Sequence, residues 1–579
     1  MTQPTSNREV AAVFRSLADL LEIRGEAPFK LTAYRRAAES IAQLPEPIAA
    51  VRSRHELEQL PGVGKAIAQK IEDLLDTGTF RLLDEVQAEI PPGVAELLQV
   101  PEVGPKRARL LYRELGIGSL EDLRTAVADG RLAGVGGLGP RGAQRIAEGL
   151  RALQAPDERI PLGVALPLAQ ELAALVRQAS PYARRVEIAG STRRFRDLVG
   201  NINLVAAADD GRRVLEAFCA LPLVTKVLEA NVHSCRVQLQ NGYTAELCVA
   251  EDAAFGSLLQ QATGSVAHNE HLVRLAADRR VKLSERGFEV DGRLVRCATE
   301  EQVYGFLGMQ YVPPPMREDA GEVELALEGR LPDPFDVSWL QGDLHMHSDW
   351  SDGTRTIEAM ALAARERGYE YICITDHSVS LGVAGGLSAE RLARQREEID
   401  ALNHRLAPFR ILQGVELEVR GDGSLDYPDE VLARLDVVTA SVHSGLRKGR
   451  EHVTSRALAA IRHPLVDVLA HPTGRLVGGR AGGDFDMDAL YSEAARTGTA
   501  LEINGDLARL DLRDSHARAA LAAGCTLTIG SDAHSTEGLA NVYYGAQVAT
   551  RALARKEQVL TTLPLADLLP RLKRNRPAI

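Results

Sequence analysis

At 579 residues the chain exceeds what one hydrophobic core usually holds, so several domains are expected. A formal charge of −11 excludes a protein that coats nucleic acid by bulk attraction; DNA contact would need local basic patches or backbone amides. Six cysteines without a CxxC pair argue against a disulfide framework or thiolate zinc site, and no run approaches the ~18 apolar residues of a membrane span.

The opening MTQPTSNREV lacks a signal-peptide apolar core, so a soluble, cytoplasmic protein with no membrane contact is expected. Residues 8–85 read as successive amphipathic helices, with apolar positions at helical spacing in VAAVFRSLADLLEI and AYRRAAESIAQL. LPGVGKAIAQKI (60–71) leads from Gly62 and Gly64, past Lys65, into a helix. The glycines allow a tight turn, and amides at a helix start can hold an anion such as a DNA phosphate. VPEVGPKRARLL (100–111) repeats the pattern with Gly104 and Lys106, and VGGLGPRGAQRI (135–146) does so with Gly137 and Gly139. One such unit is usually a plain turn. Three in one helical region predict helix-hairpin-helix DNA binding, which needs no strongly basic surface.

After Pro156 the texture changes. RRVEIAGS, INLVAAA, TKVLEA, SCRVQLQ and YTAELCVA are short β-like runs, so 157–250 is expected to form an antiparallel or mixed sheet. A mixed segment follows to about residue 310, and the proline- and acid-rich YVPPPMREDAGEVELALEGRLPDPFD reads as a boundary or wrapping linker. Beyond it, GDLHMHS, YICITDH, RILQGVELEV, VVTASVHS, DVLAHP, ALEING and TLTIGSDAHS alternate with helical runs. That alternation predicts parallel β/α units closing into a barrel, whose site lies at the C-terminal ends of the strands.

Those runs end in metal-competent residues. His345 and His347 lie two apart, on one face of a strand, and Asp352 follows in the next loop. Then come Asp376 and His377, Glu416, His443, His471, and Asp532 with His534. One histidine at a strand end is more often a satisfied core or surface residue. This many at the same strand ends point to divalent cations held by imidazole and carboxylate. Asp349 reads as solvated, and His404, His452, His463 and His516 are assigned no role.

HMHSDWSDG, ITDHS, GVELE, SVHSG, AHP and SDAH, in that order, resemble the polymerase-and-histidinol-phosphatase (PHP) family from about residue 340 to 540. The resemblance implies a distorted (β/α)7 barrel and metal-dependent phosphoester hydrolysis. It implies three ions, Mn²⁺ or Zn²⁺, held by His345, His347, Asp352, His377, Glu416, His443, His471, Asp532 and His534.

Residues 1–315 resemble the core of a family X DNA polymerase. FKLTAYRRAA and LPGVGKAIAQKIEDLLDTGTF are similar to that family's lyase domain. Lys70 then stands at the Schiff-base position, with Lys30 and Tyr34 at supporting DNA-binding positions; a lysine that simply contacts phosphate fits Lys70 equally well. In AGSTRRFRDLVGNINLVAAA the resemblance places Gly190, Ser191 and Arg194 at the nucleotide triphosphate, and Asn269 at a minor-groove contact. The family's Gly-Asp-x-Asp carboxylates are replaced by Asn201 and Asn203, and the third carboxylate is Glu246, one methylene longer. Asp209 and Asp210 are roughly 20 Å further along the strand and cannot substitute. The Tyr-Phe pair expected before Thr263-Gly264-Ser265 is Gln261-Ala262. Two lost charges weaken a site for two dications, Mg²⁺ or Mn²⁺, so little or no magnesium-dependent synthesis is expected.

The expected fold is a multidomain α+β polymerase core followed by an α/β barrel. It divides into a helical lyase-like domain (1–88), helix-hairpin-helix fingers (89–152), a nucleotidyltransferase-like palm (153–252), a thumb (253–316), a linker (317–336) and the PHP barrel (337–579). The expected activity is 3′→5′ exonuclease or 3′-end processing in DNA repair, by a monomer on gapped, nicked or 3′-recessed duplex, with dNTP as a further ligand. The rival readings are a manganese-dependent gap-filling polymerase, a small-molecule phosphatase and a non-enzymatic DNA-end-binding scaffold.

Overall fold

The structure is a computed structural model that describes residues 7–575 apart from 43, 45–46, 92, 101–102, 136–137, 139–141, 145 and 147–158. It opens with helices α1 (Asn7–Arg24), α2 (Pro28–Ala42), α3 (Ile48–Ser53), α4 (Lys65–Thr77), α5 (Arg81–Glu89), α6 (Gly93–Glu96), α7 (Pro105–Leu115) and α8 (Leu120–Ala128). On α1 the buried positions Val10, Phe14, Leu17 and Leu21 recur at helical spacing, which turns one stripe inward. Phe14 stacks on Phe80 with ring centroids 5.6 Å apart, tying α1 to the start of α5. These helices share a core of their own. Among the described residues no helix is long and apolar enough to cross a membrane.

Next come β1 (Ile160–Pro161), β2 (Ala183–Ala189), β3 (Leu198–Val199), β4 (Ile202–Ala208), β5 (Val224–Ala230), β6 (Ser234–Leu239) and β7 (Thr244–Ala250). Five of them form a mixed sheet in the order β2-β4-β7-β6-β5, while β1 pairs with β3 alone. The parallel β4–β7 pairing sets Asn203 opposite Glu246.

A smaller unit follows, with helices Phe255–Thr263, Val266–Asp278 and Glu300–Phe306 around β8 (Lys282–Ser284), β9 (Gly287–Val290) and β10 (Arg293–Val295). The proline-rich stretch that reads as a linker is packed along its first half. Met316, Val323 and Ala326 enter this unit's core, and Arg317 is 0% exposed. Arg317 donates to Glu300 at 2.5 Å and to the Val312 carbonyl at 2.8 Å, and Arg193 donates to the same carboxylate at 2.7 and 2.8 Å. Burial opposes the Glu300 charge, yet the two arginines hold the carboxyl below its usual range. Glu300→Gln would strand a buried guanidinium, so a loss of about 3–5 kcal/mol is expected in the urea transition of this region. Because the folded-state pKa is depressed, that stabilisation is present above the ordinary carboxylate range and disappears as pH falls through it. The variant should therefore converge on wild type in acid.

The remaining chain forms β11 (Gly342–Met346), β12 (Tyr371–Ile374), β13 (Arg410–Glu418), β14 (Val437–Ser441), β15 (Val468–Leu469), β16 (Ala500–Asn504) and β17 (Leu527–Gly530). All pair in parallel and in sequence order, and a Met346–Ala533 bridge brings the two edges together into a nearly closed barrel. These strands are almost wholly buried, which is why they read as apolar runs without alternation. One continuous apolar cluster joins the five-stranded sheet to the barrel. Across that boundary Phe195 meets Tyr543 edge-on at 5.6 Å, and Arg475 pairs with Asp197 at 2.7 Å.

Candidate metal centre

The nine ligand candidates reach one place because they leave their strands at the same end. β11 delivers His345 and then His347, while Glu416 stands on β13 near the barrel axis, 2% exposed. Glu416 Oε2 lies 2.9 Å from His377 Nδ1, and Oε1 lies 2.7 Å from His471 Nε2 and 3.1 Å from His443 Nε2. His345 and His347 Nε2 are each 3.6 Å from Glu416 Oε2. Asp532 stands 3.2 Å from His347 and 3.6 Å from His345, and Asp352 stands 3.5 Å from His377 and 3.4 Å from His534. Four overlapping groups result: His347–Asp352–His377–His534, His345–His471–Asp532, His345–His347–Glu416 and Glu416–His443–His471. In each, the donor atoms lie within 4.8 Å of one another.

The donor set fits cations. His345 Nε2, both ring nitrogens of His347 and His377 Nδ1 are buried and make no hydrogen bond. Orphaned imidazole nitrogens facing carboxylates are costly unless a positive charge lies between them. Burial opposes ionisation of Glu416 and Asp532, but the surrounding histidines hold both carboxyls well below their usual range. His347 is pushed down to about 3, by burial first and then by the charges of His534 and His377, which leaves its lone pairs free.

Several orienting residues escaped the motif reading. His345 Nδ1 faces Glu502 at 2.7 Å, and His443 Nδ1 faces Glu418 at 2.8 Å, so each Nε2 is aimed inward. Glu502 also accepts the His471 amide at 2.7 Å, and Asn504 donates to Asp532 at 3.0 Å. Arg509 Nε lies 3.2 Å from Asp532. A signal was present: Glu416 and Glu418, like Glu502 and Asn504, are two residues apart on one strand and so share a face. Glu502→Gln should lower metal affinity about 10–100-fold while the far-ultraviolet dichroism stays unchanged, measured by competition with a chelator. Asp376 stays out of the cluster. It accepts from Ser348 N, Ser348 Oγ, Ser351 Oγ and Gln395 at 2.5–2.8 Å, clamping the loop between His347 and Asp352. Asp349 is exposed.

In the five-stranded sheet, Asn201 and Asn203 bond each other reciprocally, Nδ2 to Oδ1, at 3.0 and 3.2 Å. Gly190, at φ +64, lies so close that a Cβ there would fall 2.3 Å from Asn203 Nδ2. Ser191 is half-buried beside it. Two residues that the resemblance places at the nucleotide and the minor groove have partners within the chain. The Arg194 guanidinium pairs with Glu318 at 2.9 Å and donates to the Thr263 carbonyl. Asn269 accepts from Gln260 and donates to the Gln261 carbonyl, both at 2.8 Å. Both are claimed because the 314–320 segment and the Phe255–Thr263 helix pack directly over them.

In the helical region Gly64 and Gly104 are the N-caps of α4 and α7. Gly62 needs its hydrogen, because a Cβ there would fall 2.7 Å from Arg36 Cβ. Lys65 is exposed on the first turn of α4. Lys70 is half-buried and donates to the Ala66 carbonyl at 2.8 Å, and Lys30 pairs with Glu26 at 3.0 Å. Tyr34 is 9% exposed and packs in the helical core near Phe14. Gly137, Gly139 and the Lys106 side chain lie outside the described residues.

Comparison with known proteins places these features. Residues 5–80 match the family model described as helix-hairpin-helix domain, and residues 94–152 that of the SAM-like helix-hairpin-helix tandem. Residues 258–318 match the DNA polymerase beta thumb, and residues 343–502 the PHP domain. The chain is 36% identical over 572 residues to the DNA polymerase/3′-5′ exonuclease PolX of Bacillus subtilis, covering 98% of this chain and 99% of that one. Its barrel is also similar to a probable phosphatase of Shewanella oneidensis, at 27% identity over 39% of this chain and 89% of the relative. A probable phosphatase of Photobacterium profundum is 31% identical over 34% of this chain and 80% of its own length. With helix-hairpin-helix and thumb units ahead of a PHP barrel, and a relative alike over nearly its whole length, the chain belongs to the family X DNA polymerases that carry a C-terminal PHP domain.

Proposed function

We propose that the barrel hydrolyses phosphodiester bonds at DNA 3′ ends with Mn²⁺, and that the five-stranded palm positions DNA without synthesising it in Mg²⁺. The observation that carries this is the contrast between two sites in one chain. In the barrel, nine donors converge and four buried ring nitrogens wait for a partner. In the palm, the positions that should hold cations are two amides bonded to each other. When bound, the barrel cations would supply Lewis acidity to a phosphoryl oxygen and lower the pKa of a water. The chain's own part is to hold donors in register: Glu502 and Glu418 orient His345 and His443, and the burial of Glu416 excludes competing water. His345, His347, Glu416 and Asp532 would form one ion position, Glu416, His443 and His471 a second, and Asp352, His377 and His534 a third. The open amides after Gly64 and Gly104 would hold the phosphates of a gapped or nicked duplex.

The relative from Bacillus subtilis is named both polymerase and 3′-5′ exonuclease, and the barrel's other relatives are named phosphatases. A second reading, a manganese-supported gap-filling polymerase, has one observation in its favour: Asn203 still faces Glu246 across the parallel register. The experiment is a 5′-labelled primer in a one-nucleotide-gapped duplex, with dNTPs and either Mn²⁺ or Mg²⁺. Shortening with Mn²⁺ and no extension with Mg²⁺ is the expected result; extension in Mg²⁺ rejects the palm assignment.

A further inference from the structure

We propose that Arg447, Arg480 and Arg509 form a phosphate track along one rim of the barrel mouth, which receives the DNA strand from the palm side and leads it to the metal centre. The inference rests on the nuclease reading of the barrel and deepens it by naming the residues that hold the strand upstream of the scissile bond.

The three arginines come from three successive loops. The loop after β14 carries His443 and then Arg447, the loop after β15 carries His471 and then Arg480, and the loop after β16 carries Arg509. Loops that leave adjacent parallel strands at the same end lie side by side, so the three charges share one rim. Arg509, with its side chain 21% exposed, borders the metal ligand Asp532 and forms the inner end.

Most other arginines near this rim are already committed. Arg475 pairs with Asp197 at 2.7 Å, Arg450 pairs with Asp484 at 2.8 Å, and Arg456 donates to the carbonyls of Arg420 and Val419. Arg447 and Arg480 differ, since neither forms an ion pair among the described residues. Arg447 is exposed, and Arg480 spends two donors on the Gly474 carbonyl, at 2.9 and 2.7 Å. Burial, followed by the charges of Arg509 and Arg447, holds Arg480 below the usual guanidinium range; Asp511 opposes this only weakly. Arg509 is paired with Asp532, but Arg447 and Arg480 are neighbouring cations without an ion pair among the described residues, which fits an anion supplied from outside.

A cleft of about 730 Å³ lies between this rim, with His443, Arg447 and Arg480, and the helical region, which contributes Arg15, Glu39 and the acids Asp19 and Glu22, both paired with Arg35. Its ends matter. His443 is a metal ligand candidate, and Pro161 stands on β1, beside the palm. A strand lying in it would pass from the palm to the cluster over Arg447 and Arg480, with Pro161 of β1 also in the lining and Arg35 offsetting Asp19 and Glu22 on the helical side.

The test uses the full chain with Mn²⁺ and a 5′-labelled single-stranded oligonucleotide across a salt series. Arg447 makes no bond whose loss threatens folding, so Arg447→Ala is the first variant, followed by Arg447→Ala combined with Arg480→Ala. The double variant should raise KM about tenfold with kcat within about twofold, the signature of binding lost equally from ground and transition states. The slope of log KM against log salt should become shallower by about 0.7 for each lost phosphate contact. Arg480→Lys, which keeps the charge, should recover most of the KM, and Arg394→Ala, exposed on the helix Ala389–Leu406, should match wild type. An unchanged KM and salt slope in the double variant overturns the track while leaving the nuclease intact. A wild type that cleaves bis(p-nitrophenyl) phosphate but never shortens the oligonucleotide rejects the nuclease reading, and the track with it.

Discussion

Replacing Glu416 with glutamine is expected to lower Mn²⁺-dependent hydrolysis of a DNA 3′ end on the order of a thousandfold. That corresponds to roughly 4 kcal/mol of lost transition-state stabilisation, the scale of a displaced cation. Glu416 faces five histidines, with oxygen–nitrogen distances from 2.7 to 3.6 Å, so no other carboxylate can take its place. Glutamine keeps the volume and loses the charge. Bound metal, counted by elemental analysis after dialysis, should fall, while affinity for gapped DNA should stay unchanged. The turns after Gly64 and Gly104, proposed above to hold DNA, belong to another core altogether. Undiminished hydrolysis with a full metal complement would remove Glu416 from the centre.

The second large effect is a gain. Asn201→Asp combined with Asn203→Asp, and the triple variant with Glu246→Asp, should create magnesium-dependent primer extension at least about a hundredfold above wild type. The register already sets position 203 opposite position 246, and Gly190 already leaves room beside it. What the site lacks is charge: the two amides satisfy one another and offer no anion to a dication. Without metal the restored aspartates would repel each other, so the double variant should also be destabilised in a chelator and recover with Mg²⁺. If extension stays absent although Mg²⁺ stabilises the variant, the obstacle is nucleotide binding. The ion pair that holds Arg194 to Glu318 is then the next target.

How far the site could be read beforehand depended on the kind of residue. His345, His347, Asp532 and His534 are visible because metal donors are scarce residue types, here set two apart at strand ends. Glu418 and Glu502 are the same chemistry, yet they read as ordinary acids on strands, because nothing local says that a histidine faces them. Arg194 and Asn269 show what a motif resemblance leaves out. Their resemblance to nucleotide contacts is real in sequence, but the packed 314–320 segment and the neighbouring helix give each an internal partner. Tyr34 is read from its neighbours in FKLTAYRRAA, which do not say that its ring packs in the helical core.

By itself the sequence determined what periodicity and residue type determine. The helices that cover most of the stretch before residue 130, the mixed sheet after 157, and seven parallel strands with donors at one end all follow from local pattern. The tertiary structure alone decided which charges meet. His345 finds Glu502 157 residues away, Asp197 finds Arg475 278 residues away, and Arg480 is left without a carboxylate. Local propensity acts over a few residues, whereas these pairings exist only once the barrel nearly closes and its apolar face is buried against the palm.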